Sequence, residues 1–352
     1  MNKIQFIFIV IISVLMGMIF PLFLPERFYL DAGILVSDPG NEKGLIGSYP
    51  ITILFYWITK LNALPFSLVA LIQLPFLFLL LWLIGVPNKF AEINIKNCLI
   101  FLSFIMTAVF IGQPSKEFIT YIFIAIIVFI FQYKYISLGV AILLSSLLFI
   151  FFGGIFRPYY AFMPFIAVAI YLIIRIKFSN RWLLSIVLGI SVLIFLSFVY
   201  KLGKGEYISE MSREKLNTIR FESGDENADT MILSPIPVTN IFTEAFATVY
   251  GFITVNFPIN ALRFFYKPQV IAFVFWQLCV TWIVIVRFGY LLKDFPNRKK
   301  DLWLMSLLLA YFIIQGIFEP DLGSAVRHKI GILPLIYYLF YYDDFKRKIQ
   351  SN

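Results

Sequence analysis

Apolar positions along this chain form runs too long for a soluble core. The stretches 6–23, 66–86, 119–131 and 136–155 contain no charged residue, and charged positions collect in the seams between such runs. A helix needs roughly 20 apolar residues to cross a hydrocarbon core of about 30 Å, and only helices or closed barrels satisfy the backbone there. The pattern predicts an all-α, polytopic transmembrane helix bundle in one integral membrane domain, 1–352. About ten spans fall near 4–24, 63–86, 97–113, 118–133, 136–155, 159–176, 182–200, 269–291, 302–318 and 329–343. Segments 50–62 and 241–267 are aromatic and only moderately apolar, and are expected to lie at the membrane interface. The first apolar run exceeds the roughly 7–15 residues of a signal-peptide core, and no Ala-x-Ala-like site precedes Pro25, so an uncleaved first helix is expected.

Composition agrees. Hydrophobic residues make up 61% and charged residues 14%, against about 25% charged in a soluble domain, and the mean hydropathy is +0.88. Cys98 and Cys279 fall inside expected helices and read as packing residues. The net charge of +9 would suggest nucleic acid in a soluble protein. Here the cations concentrate on alternate seams, Arg175 to Arg181 and Lys293 to Lys300 among them. The positive-inside bias then places both termini in the cytoplasm, and nucleic acid is not an expected partner. The opposite seams carry mixed charge, and any chemistry is expected on that outer side.

The first outer seam holds Glu26 and Asp31, then an Asp-Pro-Gly turn at Asp38. Asp31 is a candidate base for a sugar hydroxyl, with a solvated loop as the alternative. The second reads Gln113-Pro114-Ser115-Lys116-Glu117. Capping explains Ser115 and Glu117, whereas a cation at a helix N-terminus is disfavoured, which marks Lys116 as a phosphate contact. In the third, Arg157, followed by Pro158-Tyr159-Tyr160, is the only charge between Lys134 and Arg175. It is a candidate bidentate phosphate ligand, or else the partner of Glu117 or Glu319 in a structural ion pair. The fourth, about 201–268, is the one long outer loop. It holds a short helix expected at 209–220, an acidic run at 222–229, and Glu244, Tyr250, Asn256, Asn260, Arg263 and Tyr266 on an aromatic background that suits either carbohydrate or membrane anchoring. The last, 319–329, packs Glu319, Asp321, Arg327, His328 and Lys329 into a few residues and contains the only histidine. His328 can relay a proton near neutral pH. One histidine makes no zinc site, and no phosphate-binding loop, nucleophile elbow, metalloprotease motif or internal repeat is present. No metal or cofactor is expected.

About ten to twelve apolar spans, both ends inside, one long outer loop and lone outer-face cations at Lys116, Arg157 and Arg327 resemble the bacterial O-antigen and capsular polysaccharide polymerases of the Wzy type, GT-C-like integral membrane glycosyltransferases. The likeness is architectural and covers the whole topology. It implies transfer of a growing glycan from undecaprenyl diphosphate to a lipid-linked repeat unit on the periplasmic face of the inner membrane, with a chain-length regulator as a further partner. Under it, Lys116, Glu117, Arg157, Tyr160, Arg263 and Arg327 bind substrate, and Asp31, Glu319 or His328 supplies the base. Two alternatives remain. A GT-C glycosyltransferase using a polyprenyl-phosphate sugar would place its acid in the first outer loop, at Glu26 or Asp31. A lipid-linked glycan flippase would line a path through the membrane with charge.

Overall fold

The computed structural model describes residues 1–25, 28–173, 176, 178–222 and 230–350. Glu26, Arg175, Lys177 and most of the acidic run at 222–229 lie outside the described residues. Helix accounts for 80% of the structure and there is no strand among the described residues. Among the described residues six helices are long and apolar enough to cross a bilayer, the make-up of an all-helical membrane protein.

The chain divides into two compact units. The first comprises Met1–Ser145, Gly154–Arg157 and Arg327–Asn352, and the second Ser146–Gly153 and Pro158–Val326. Apolar runs mark where helices form but not which helices pack together.

In the first unit the elements run α1 (Asn2–Phe23), α2 (Leu30–Ser37), α3 (Ser48–Thr59), α4 (Phe66–Ile84), α5 (Ile95–Ile111) and α6 (Lys116–Gln132), followed by α7 (Leu138–Ile155), whose middle belongs to the second unit. Helix α1 packs along α4 and α5. Gly17 permits that approach, because a Cβ there would run into Leu74 with Ala70 and Ala108 beside it. Near the other end of α1 the Phe6 ring sits 5.4–5.6 Å from Phe90, Phe104 and Trp82, where edge-on aromatic pairs add to simple burial. Pro21 and Pro75 lie inside α1 and α4; membrane helices tolerate this where neighbouring groups satisfy the freed carbonyls.

The second unit carries α8 (Met163–Leu172), α9 (Arg181–Lys204), α10 (Lys215–Glu222), α11 (Ile241–Asn256), α12 (Pro268–Lys293) and α13 (Lys299–Phe318). Helix α13 is packed by α8, α9, α11 and α12. It is 94% buried, whereas the other five candidate spans are 17–44% buried and leave apolar faces free for lipid. The expected outer loop 201–268 is largely helical, and α11 lies directly on α13. Asn240 begins α11 with a capping box closed by Thr243, which fixes its start. At the crossing, a Cβ on Gly251 would fall on the Gly316 carbonyl. The fully buried Arg213 donates to that carbonyl at 2.7 Å and to Ala247 O at 3.3 Å. Gly251→Val is therefore expected to lower stability by more than the roughly 1–3 kcal/mol of ordinary overpacking, read as a fall in the thermal midpoint of the detergent-solubilised protein.

The chain closes with α14 (Leu322–Gly331), whose second half belongs to the first unit, and α15 (Leu333–Gln350). The 319–329 seam is therefore mostly helix, and the helix starts earlier than the expected 329. Asp321 explains the start, since its two carboxylate oxygens accept from the Ser324 amide at 2.7 Å and the Ser324 hydroxyl at 2.8 Å, an N-terminal cap. In the first unit α15 packs on α4, α5 and α6. Tyr337 donates to Gly85 O and Tyr341 to Asn97 Oδ1, both at 2.6 Å.

Candidate ionic site in the first unit

Six of the charged candidates, drawn from both ends of the chain, meet in the first unit. Asp31 comes from the first turn of α2, and Lys116 and Glu117 from the first turn of α6. Arg157 follows the end of α7, and Arg327 and His328 come from α14.

The turn before α6 is built before it is charged. The Ser115 hydroxyl accepts from the Glu117 amide at 3.2 Å, capping the helix, and donates to Glu117 Oε2 at 2.6 Å. The Ser115 amide donates to the Tyr56 hydroxyl, which donates to Gln73. Gln73 in turn donates to Ile111 O and Gln113 O, and Gln113 donates to Phe28 O at 2.8 Å. Buried hydrogen bonds of this kind fix a backbone in one arrangement. They hold Lys116 and Glu117, both nearly inaccessible, against the rest of the cluster.

Two carboxylates organise the charge. Glu117 Oε1 accepts from Arg157 Nη2 at 2.7 Å and lies 3.3 Å from His328 Nε2. Asp31 Oδ2 lies 2.7 Å from Arg327 Nη1 and 3.3 Å from Lys116 Nζ, while Oδ1 accepts from the Tyr49 hydroxyl at 2.7 Å. The Lys116 ammonium also sits 3.6 Å from the centre of the Tyr49 ring, a cation–π contact. Arg157 is thus the partner of Glu117, one of the two its sequence context allowed.

Lys116 and Glu117 precede the apolar run of α6, and the titration of the cluster follows from its geometry. Burial would raise Glu117, but Arg157, then Arg327, His328 and Lys116, outweigh it and hold the carboxyl well below its usual range. Burial likewise opposes ionisation of Asp31, yet Arg327, Lys116 and the Tyr49 hydrogen bond bring it down to about 2. Burial and the adjacent Asp31 raise the Tyr49 phenol, which stays a donor. Burial pulls Lys116 down to about 8, partly opposed by Asp31 and Glu117. An anion held by Lys116 is therefore retained below pH 8 and released as pH rises through that value, because the ammonium loses its proton there. Inorganic phosphate affinity of the purified protein should fall between pH 7 and pH 9, and Lys116→Arg, which keeps its charge, should flatten that fall.

The remaining candidates belong to the second unit. Glu319 is 3% exposed and accepts from Gln315 at 2.9 Å; Gln315 also donates to Ala325 O. Tyr160 is fully buried among the rings of Phe149, Phe152, Tyr159 and Tyr311. Arg263 packs against Phe264 and lines a cleft with Thr230, Thr254 and Asn260. Among the described residues no group of three His, Cys, Asp or Glu is placed to hold a metal ion.

Tyr49, Tyr56 and Gln73 are site residues that sequence reasoning misses. The two tyrosines sit in an aromatic stretch that reads as interfacial, and Gln73 is one polar residue in a long apolar run. Only an amide at mid-span, which needs buried partners in a bilayer, carried a signal.

Comparison with known proteins finds no matching family model, no matching curated protein and no matching solved structure.

Proposed function

We propose that this chain is a polysaccharide repeat-unit polymerase of the bacterial inner membrane. It transfers a glycan from undecaprenyl diphosphate to a lipid-linked repeat unit at the periplasmic face. In this reading about ten segments span the bilayer, both termini are cytoplasmic, and the ionic cluster faces outward.

The convergence of Lys116, Arg157 and Arg327 with His328 and two carboxylates carries the proposal. Transfer breaks the bond between the anomeric carbon and the diphosphate, leaving negative charge on the departing group, and forms a bond from an acceptor hydroxyl that must lose its proton. Fixed cations stabilise the departing diphosphate. His328 takes the hydroxyl proton, with Glu117 orienting the imidazole from 3.3 Å. Asp31, ionised down to about pH 2, is too weak a base to compete for that proton.

A second reading, a GT-C glycosyltransferase using a polyprenyl-phosphate sugar, draws on the position of Asp31 in a short helix between α1 and α4, gripped by two cations. An electrophoretic profile of surface glycan from a deletion strain separates the two. One-repeat glycans with the lipid-linked unit accumulating outside support the polymerase, and loss of whole glycans or of a side-branch sugar supports the second reading. Accumulation of the lipid-linked unit inside would indicate a flippase. Long chains in strains complemented with Arg157→Ala or Arg327→Ala would refute the assigned roles of those residues.

A further inference from the structure

The two carboxylates are not held alike. Glu117 is 1% exposed and fixed in the first turn of α6, with the Ser115 hydroxyl, Arg157 and His328 all on its side chain. Asp31 hangs from an eight-residue helix, its side chain is 29% exposed, and its carboxylate is held by the side chains of Tyr49, Lys116 and Arg327. Its Oδ2 receives Arg327 Nη1 and Lys116 Nζ together, as two cationic donors share one phosphoryl oxygen.

We propose that Asp31 is a removable counter-ion standing in the seat of a phosphoryl group, that Lys116 and Arg327 are the diphosphate-binding pair, and that Arg157 stays with Glu117 as a positioning residue for His328. The inference rests on reading the cluster as the site of a lipid diphosphate.

Charge supports the exchange. Lys116 and Arg327 share Asp31 Oδ2, whereas Arg157 is paired with Glu117. Two cations on one carboxylate oxygen are matched more fully by the two ionised phosphoryl groups of a diphosphate diester than by the single charge of a monophosphate diester. Because Asp31 fills the seat between turnovers, the nearly buried Lys116 is never left without a counter-charge, a state that costs a great deal in a dry environment. The same arrangement removes Asp31 from the proton-transfer step and favours a diphosphate donor over a monophosphate one.

The test is the affinity of the purified full-length protein for inorganic pyrophosphate, with inorganic phosphate in parallel. Asp31→Asn, which removes the competing charge and keeps the shape, should bind pyrophosphate about tenfold or more tightly than wild type, the scale of one charged hydrogen bond, with a smaller gain for phosphate. Tyr49→Phe, which loosens Asp31 without deleting it, should shift affinity the same way by a few-fold. Arg327→Ala should weaken it by about tenfold or more. In turnover with lipid-linked substrate, Arg157→Lys should lower kcat more than it raises KM, and Arg327→Lys the reverse. If Asp31→Asn binds pyrophosphate no tighter than wild type while Arg327→Ala still loses affinity, the counter-ion role is wrong and the diphosphate site stands. If Arg327→Ala binds like wild type, both fall. Should Asp31→Asn fail to fold, an unchanged affinity in Tyr49→Phe overturns the counter-ion role.

Discussion

Alanine at His328 is expected to slow glycan chain formation by about 10²–10⁴-fold, the range that a positioned general base contributes, without lowering the amount of protein in the membrane. His328 is the only imidazole in the chain, and both carboxylates near it are committed to cations, which leaves the imidazole as the base assigned to the acceptor hydroxyl. The measurement is turnover of the purified variant on lipid-linked repeat units; a loss smaller than about tenfold would assign the proton to another group.

Glu117→Ala should have the largest effect on stability. The substitution leaves the Arg157 guanidinium, 7% exposed, without its carboxylate, and breaking a buried pair from one side costs about 3–5 kcal/mol. It also removes an acid from the first turn of α6, where the helix dipole favours one, and the acceptor for the Ser115 hydroxyl. The double variant Glu117→Ala/Arg157→Leu should recover much of the loss, because an apolar pair of similar volume often replaces a buried ion pair at little cost. Thermal unfolding of the single and double variants in detergent measures both. A double variant no more stable than Glu117→Ala would show that the loss comes from the Ser115 turn and not from the stranded cation.

The long apolar helices were the most legible part of the chain, since run length and charge exclusion are local properties. The expected 4–24, 63–86, 97–113, 118–133 and 182–200 correspond within a few residues to α1, α4, α5, α6 and α9. The run 159–176 is shorter than expected, opening with a 3-10 turn at Pro158–Phe162 before α8. Legibility failed where charge interrupts a helix. Arg327, His328 and Lys329 made 319–329 read as a charged seam before a helix starting near 329, although Asp321 and Ser324 supply a capping pair that starts the helix earlier.

The charged residues of the site were legible for the same reason as the spans: Lys116, Arg157 and Arg327 are conspicuous against apolar surroundings. Their pairing was not, because an ion pair between α6 and the residue after α7, or between α2 and α14, is a product of packing. Tyr49 shows the limit most clearly. Its hydroxyl holds Asp31 and its ring holds Lys116, yet in sequence it is one more aromatic residue in a chain that has 41 phenylalanines and 19 tyrosines.

Reconstituting the purified protein in lipid vesicles with a polyprenyl-diphosphate-linked repeat unit tests whether this cluster runs a glycosyl transfer with a diphosphate leaving group. The wild-type protein is expected to join repeats and release one polyprenyl diphosphate per bond formed, both abolished by the Arg327→Ala/His328→Ala double variant. Substrate recovered unchanged with the wild-type protein, or equal release by wild type and the double variant, would contradict it.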